Sequence, residues 1–444
     1  MGKLSFKGGV HPLKRIHHGK YLTDRRPIEK CGIPDEIVLP LSQHTGAPSE
    51  PIVQPGDNVD LGQMIAEAGG FVSVPLYSSV SGTVKEIAPR PHILGSTSMS
   101  IIITNDHEDR LSPDIRSKGS VDSLSPKDIV DIIKNAGLVG LGGAAFPTHV
   151  KLTPPPEKNI DTVIVNGAEC EPYLTADHRI MLENPEGVVS GLKAVMKVLD
   201  VKNAVIAIEA NKKDAIAAIE KAAERTGVNV ATLKVKYPQG AEKQLIYAVT
   251  KRQVPSGKLP MDVGAVVINA GTAYQIALAI EKGLPLYERV VTVTGSVMNP
   301  SNFLVRLGTP MTYVIEQAGG FSGEVEKVIA GGPMMGIAQS SLDAPVMKGT
   351  SGILVLGKGM ARSMEESPCI RCGKCVDVCP MGLMPCLISA YAENNDFDTA
   401  EKLHALDCME CGGCAYICPA NRHVTQGIRL AKGEILKIRK KAAK

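Results

Sequence analysis

The chain has 444 residues, room for several domains, and its 44% hydrophobic content supplies sizeable cores and excludes a disordered chain. A net charge of only +3 excludes a dedicated nucleic-acid binder, which would carry a strong basic excess. The opening stretch lacks an apolar run of signal-peptide length, and no run approaches the roughly 18 apolar residues of a membrane helix, so a soluble or peripheral protein is expected.

The first hundred residues are rich in Pro and Gly and read as short strands. PIVQPGDNVDLGQMIAE is followed by VPLYSSVSGTVKEI, with Gly56-Asp57 and Gly62-Gln63 as turn signals between β-branched runs. This resembles a biotinyl/lipoyl-type barrel-sandwich hybrid. Such domains carry a cofactor on a hairpin Lys. Leu76–Val80, the matching stretch, contains none, so an unmodified docking module is expected.

Helical signals begin at Ser125, an N-cap candidate followed by Pro126 and, three residues on, Asp128. Apolar strand-like runs then alternate with helical ones. The strand candidates are 161–166, 204–208, 228–235 and 265–269; the helix candidates are 185–199, 214–225, 241–249 and 273–282. Such alternation predicts an α/β layer with a largely parallel sheet.

Beyond residue 287, YERVVTVTGSV reads as a strand pair, LGTPMTYVIEQAGGF as a capped helix ending in Gly-Gly, and EKVIAGGPMMG as a further strand. The order resembles a soluble-ligand-binding β-grasp domain. ARSMEESP then reads as a linker.

Nine of the eleven cysteines lie between Cys369 and Cys418. Two runs of Cys-x-x-Cys-x-x-Cys-x-x-x-Cys-Pro stand out: Cys369, Cys372, Cys375, Cys379 and Pro380, then Cys408, Cys411, Cys414, Cys418 and Pro419. Three thiolates at this spacing wrap one [4Fe-4S] cubane, and the fourth ligates the other cluster. Cys369, Cys372, Cys375 and Cys418 should hold one cluster, and Cys408, Cys411, Cys414 and Cys379 the second. Zinc, the competing reading, prefers separated pairs and explains neither identical run nor the Pro. Helical periodicity in two pieces, broken near Asn394-Asn395, separates the runs and resembles α-helical ferredoxins. Cys31, Cys170 and Cys386 read as buried thiols. Paired clusters move single electrons.

GLVGLGGAAFPTHVK is a glycine-rich loop after a helix, able to cradle a phosphate with its N–H groups. VNGAECEPYLTADHR then places Asn166, Glu169, Glu171 and Asp177 at a strand's C-terminal end, where α/β ligand sites form. Together these segments resemble the flavin- and NADH-binding subunit of respiratory complex I, which reads Gly-x-Gly-Gly-x-Gly-Phe-Pro-Thr and then Asn-x-Asp-Glu-x-Glu-Pro. With a barrel sandwich first and two cluster runs last, residues 1–430 resemble the C subunits of Rnf complexes. Complex I subunits end in a single cluster site.

The resemblance implies FMN, NAD(H) and two [4Fe-4S] clusters as cofactors, and these roles. Gly140, Gly142 and Gly143 lie under the FMN phosphate and ring, and Lys151 neutralises phosphate charge. Asn166 and Glu169 bond the flavin. Phe146 stacks on the nicotinamide nucleotide and Glu171 holds a ribose. Asn269 and Thr272 match an Asn-Asn-x-x-Thr segment, and Gly240 and Glu242 a Gly-Glu-Glu loop. Ala145 and Ala168 replace a Gly and an Asp of the pattern, the latter removing an acceptor. Hydride passes between NAD(H) and FMN and single electrons between FMN and clusters, with no catalytic base.

A multidomain α/β and α+β chain is expected: a barrel-sandwich hybrid over 1–115, an FMN/NADH-binding α/β domain over 116–285, a β-grasp domain over 286–360, a double-cluster α-helical ferredoxin domain over 361–430, and a basic tail over 431–444. Residues 428–444 carry seven Lys or Arg against one Glu, with a partial apolar stripe at Ile428, Leu430, Ile435, Leu436 and Ile438. The implied role is electron transfer in a membrane-bound, Na⁺- or H⁺-translocating ferredoxin:NAD⁺ oxidoreductase. The implied partners are its other subunits, among them a ferredoxin-like B subunit, with peripheral contact on the cytoplasmic side of the cell membrane. A cobalamin reductase of bacterial microcompartments and a flavin-free cluster adaptor remain alternatives.

Overall fold

A computed structural model describes residues 2–11, 19–361 and 365–442. Part of the expected linker, Arg362–Met364, and the last two residues of the tail lie outside the described residues. Four sheets and a helical C-terminal unit make up the fold.

The barrel sandwich is two antiparallel sheets. One runs Glu36–Pro40, Thr97–Asn105, Gly82–Pro91, Asn58–Val59, and the other Glu50–Pro51, Met64–Glu67, Leu76–Tyr77. Ile37, Ile65, Val74, Val80, Ile101 and Ile103 meet between them and are fully buried.

Two described segments within the span 1–115, expected as the barrel-sandwich unit, pair with neighbouring domains. Leu4 bridges to Leu233 and Val10 to Tyr237, on the α/β domain. Ile28–Lys30 pairs in parallel with Asn302–Leu304, as the edge strand of the β-grasp sheet. Short segments with few apolar side chains are placed by unpaired sheet edges elsewhere in the fold.

The α/β sheet is parallel throughout, in the order Asn229–Leu233, Asn203–Glu209, Thr162–Gly167, Ala265–Asn269. Its central strands are apolar on both faces because helices cover both. Ser125 and Asp128 close a reciprocal capping box at the start of Pro126–Asn135. Helix Pro185–Leu199 crosses Ala270–Glu281 closely, and a Cβ at Gly191 would fall 1.7 Å from the Ala273 carbonyl oxygen. The latter helix starts three residues earlier than its spacing predicts. The Asn269 side chain caps it, accepting from the Thr272 N–H at 3.2 Å.

The β-grasp sheet runs Ile28–Lys30, Ser301–Arg306, Glu288–Gly295, Gly352–Gly357, Val325–Ala330, Ile337–Ala338. YERVVTVTGSV therefore forms one eight-residue strand, not a pair. It carries no turn residue until Gly295, so nothing inside it can reverse the chain.

Helices Pro385–Glu393 and Phe397–Lys402 flank the break at Asn394-Asn395, where Asn395 has φ 59°. Helix Val424–Ala442 packs Ile428, Ala431 and Ile435 against them. Leu430, Leu436 and Ile438 of the expected stripe stay exposed, because the 3.6-residue period turns them away from that seam. No described helix is long and apolar enough to cross a membrane.

Candidate functional site

A cavity of about 710 Å³ opens at the C-terminal ends of the parallel strands. One wall is the glycine-rich loop with Gly140, Gly142 and Phe146. Another is Asn166, Glu169 and Glu171, and a third is Asn269 and Thr272. Its far end reaches Leu406, Cys408 and Met409, inside the cluster domain. The sequence patterns thus converge in one space.

The loop is held from three sides. Gly140 N–H donates to the Phe146 carbonyl at 2.9 Å, closing it on itself. Leu141 N–H donates to Thr272 Oγ1 at 2.9 Å, and the buried Arg289 guanidinium donates to the Leu141 carbonyl at 3.2 Å. From the barrel sandwich, Thr45 N–H and Oγ1 donate to the carbonyls of Ala145 and Ala144 at 3.1 and 2.9 Å. Gly143, at φ 116°, takes a turn that a side chain would strain, and Ala145 sits at φ 48°. The barrel sandwich supports the loop directly.

The polar residues of the strand end are largely engaged with backbone. Asn166 Nδ2 donates to the Gly240 carbonyl at 2.7 Å, and its Oδ1 accepts from Ala168 N–H at 3.2 Å. Glu169 accepts from the N–H of Asp177 at 2.7 Å and of His178 at 3.3 Å, capping helix Ala176–Glu183. Asp177 in turn accepts from Asn269 Nδ2 at 2.6 Å. Burial pushes Glu169 and Asp177 upward in pKa, with Lys20 opposing the rise at Glu169. Glu171 accepts from the N–H groups of Met334 and Met335 at 3.1 and 2.8 Å, on the β-grasp domain, and burial pushes it up to about 7. The resemblance implies a ribose contact for Glu171, which lines the cavity while each of its oxygens accepts from a β-grasp loop amide.

Lys151 Nζ donates to Glu242 Oε1 at 2.8 Å and to the Val267 carbonyl at 2.9 Å, at the cavity edge. Thr148 is different. It lines the cavity, and its buried Oγ1 has no hydrogen-bond partner among the described residues. A buried hydroxyl without a partner is costly, so a polar ligand group fits there. A Cβ placed on Gly142 would have Asn269 Cβ as its nearest neighbour, at 3.5 Å, so the glycine leaves the ligand room. The cavity suits FMN.

Cys379 of the first run lies near three cysteines of the second. Burial pushes the Cys408 thiol up to about 11 and the Cys411 thiol up to about 12, and Cys379, from the first run, adds to the rise at both and at Cys414. Three thiols of one run and the fourth of the other therefore share a neighbourhood. Cys369 and Cys372 are exposed, whereas Cys411 and Cys414 are buried. Among the described residues no three Cys, His, Asp or Glu side chains converge tightly enough for a single metal ion. The donor set fits two clusters.

Cys31 is buried, as expected of a packing thiol. Cys386 and Cys170 are only half-buried, contrary to expectation. Cys386 sits beside Cys375 in the first turn of its helix. Cys170 lines the cavity and accepts from Gly240 N–H at 3.3 Å. Tyr237 and Arg289, both buried at the cavity wall, escaped sequence reasoning, because nothing local marks an isolated Tyr or Arg as a wall residue.

Comparison with known proteins matches this architecture domain by domain. Residues 4–108 match the RnfC barrel sandwich hybrid domain, 133–278 the Nuo51 FMN-binding domain, 290–338 the SLBB domain and 368–422 the 4Fe-4S dicluster domain. The chain is 52% identical over 439 residues to the C subunit of the Na⁺-translocating ferredoxin:NAD⁺ oxidoreductase complex of Acetobacterium woodii, covering 98% of both. The chain belongs to the C subunit family of Rnf complexes. The C subunit of the proton-translocating ferredoxin:NAD⁺ oxidoreductase complex of Clostridium ljungdahlii is 51% identical, over 97% of this chain and 94% of that one. The C subunit of the ion-translocating oxidoreductase complex of Rhodobacter capsulatus is 40% identical over 97% and 83%. An NAD⁺-reducing [NiFe]-hydrogenase structure shares the fold, with a TM-score of 0.51 at 17% identity over 74% of this chain and 69% of that one. Family membership and domain order favour an electron-transfer subunit over the cobalamin reductase and the flavin-free adaptor. As a member of this family, the chain works among the other subunits of a multi-subunit complex.

Proposed function

We propose that this C subunit passes electrons between NAD(H) and the rest of a membrane-bound, ion-translocating ferredoxin:NAD⁺ oxidoreductase. One observation carries the reading: a single cavity runs from the glycine-rich loop and Thr148 to Cys408 of the second cysteine run. FMN, when bound, exchanges hydride with NAD(H), and the clusters relay single electrons.

The chain's residues bind and shield. Gly140, Gly142 and Gly143 present backbone to the flavin, Thr148 offers its free hydroxyl, and Lys151 supplies positive charge near the phosphate. Phe146 lines the nicotinamide side. Asn166, Glu169, Asn269 and Thr272 shape the wall through hydrogen bonds to backbone and to Asp177. Glu171 holds the β-grasp loop over the cavity mouth. The second run, with Cys379, borders the flavin site, and the first run, with Cys418, faces solvent at Cys369 and Cys372. That polarity directs the first run toward a partner, of which the ferredoxin-like B subunit is our choice, with the complex on the cytoplasmic side of the cell membrane.

An anaerobic NADH titration of the FMN- and cluster-reconstituted chain, followed by visible absorbance, tests this. Flavin and cluster bands are expected to bleach together. Bleaching of the clusters by dithionite alone would remove NADH from the electron path.

A further inference from the structure

Residues Leu4–Val10 run along the seam between the α/β domain and the second cluster's ligand loop. On the α/β side, Leu4 N–H donates to the Thr232 carbonyl at 3.0 Å, and Lys234 N–H returns to the Leu4 carbonyl at 2.9 Å. Lys236 Nζ donates to the Phe6 carbonyl at 2.8 Å and lies 4.4 Å from the Phe6 ring centroid. Val10 and Tyr237 exchange both backbone hydrogen bonds, at 2.7 and 2.8 Å. On the cluster side, Gly9 N–H donates to the Val378 carbonyl at 2.7 Å, one residue before Cys379.

Gly8 and Gly9, each at φ 78°, make this double contact possible. A Cβ on Gly8 would stand 2.8 Å from the Cys379 carbonyl oxygen, and one on Gly9 would stand 2.6 Å from that of Tyr237. The segment is thus pressed between two backbones that approach from opposite sides. Both glycines serve the approach as well as the turn.

We propose that Leu4–Val10 is a clamp that fixes the distance between the flavin cavity and the second cluster. It rests on the electron-transfer reading above. The cavity end at Cys408 belongs to the cluster domain, whereas the glycine-rich loop belongs to the α/β domain. Their separation depends on what joins those two units. The clamp holds Tyr237, a cavity wall residue, with one edge and the Cys379 loop with the other. Its residues position; they form no bond to flavin or cluster.

The test compares the full reconstituted chain with Gly8→Ala, with a chain lacking residues 2–11, and with Lys7→Ala, an exposed control. Stopped-flow absorbance follows flavin and cluster reduction by NADH, hydrogen exchange follows residues 374–384, and spin resonance follows each cluster. In Gly8→Ala and the truncated chain, flavin reduction is expected at the unaltered rate. Cluster reduction should slow several-fold, and exchange in 374–384 should quicken. Lys7→Ala should change neither. Loss of the second cluster's signal with the first retained also supports the clamp. Unchanged cluster reduction and exchange in both variants, or loss of flavin and both clusters together, would overturn it. If NADH reduces neither centre in the unaltered chain, the electron-transfer reading fails, whatever the variants' exchange rates show.

Discussion

The Tyr237 hydroxyl donates to the backbone carbonyl of Cys411 at 2.7 Å, joining a wall residue of the flavin cavity to the second cysteine run. Val10, Cys170, Met334, Val378 and Met409 pack around this contact, so all the domains adjoining it meet there. Burial raises the Tyr237 pKa, and the phenol stays a donor throughout the working pH range. Tyr237→Phe keeps the ring and leaves the Cys411 carbonyl without its partner. A stability loss of about 1 kcal/mol is expected. The second cluster's reduction potential should move while FMN affinity holds. Thermal melts and a potentiometric titration read by spin resonance check this.

Thr148→Val should act in opposite directions on stability and on binding. The substitution removes a buried hydroxyl that has no partner in the described residues, so the flavin-free chain should melt at the same temperature or higher. FMN loses one hydrogen bond, for about 0.5–1.5 kcal/mol, or roughly a two- to thirteenfold rise in Kd. Scanning calorimetry and flavin fluorescence quenching give the two signs.

Lys151 and Glu242 form a half-exposed pair at the cavity edge. If Lys151 serves the flavin phosphate, Glu242 competes for its ammonium. Lys151→Met should weaken FMN binding by about tenfold or more, as expected for a charged hydrogen bond. Glu242→Gln should leave it unchanged or tighten it. Weakening of equal size in both variants would mean that the pair is needed only for local shape.

The Glu171 carboxyl gives stability a pH dependence of definite sign. Its pKa rises from 4.5 to about 7 on folding, chiefly by burial. Between those values the folded chain binds more protons than the unfolded one, so stability falls as pH rises through that window and levels off above it. Below 4.5 both states are protonated and the group adds no slope. Glu171→Gln, which keeps an acceptor for the Met334 and Met335 amides, should flatten this slope. Urea melts across the window measure it.

The proposed ligand exchange between runs makes Cys379 and Cys418 non-equivalent. Cys379→Ser should alter the signal of the cluster held by Cys408, Cys411 and Cys414. Cys418→Ser should alter the other. Spin-resonance spectra of the two reduced variants separate the cases, and a variant that changes only the signal of its own run would contradict the exchange.

What the sequence made legible is what short-range chemistry encodes. Helix Pro185–Leu199 has the bounds its spacing predicts, and Ser125 with Asp128 signals a capping box that is present. The helix after Asn269 begins three residues early because the Asn269 side chain caps the Thr272 N–H, leaving the Thr272 hydroxyl to accept from the glycine-rich loop at Leu141. The cysteine runs were readable because ligand spacing is itself local. Pairing of Ile28–Lys30 with Asn302–Leu304, and of Glu171 with Met334 and Met335, joins segments far apart in the chain, and no periodicity reports such partners. Tyr237 was invisible for the same reason.

Freeze-quench spin resonance of the reconstituted chain mixed with NADH tests the central claim most directly. The cavity reaches Cys408, so the cluster held by Cys408, Cys411, Cys414 and Cys379 should be reduced first. The cluster with exposed Cys369 and Cys372 should follow. Reduction of the exposed cluster first, or of neither on the time scale of flavin bleaching, would contradict a path through this cavity.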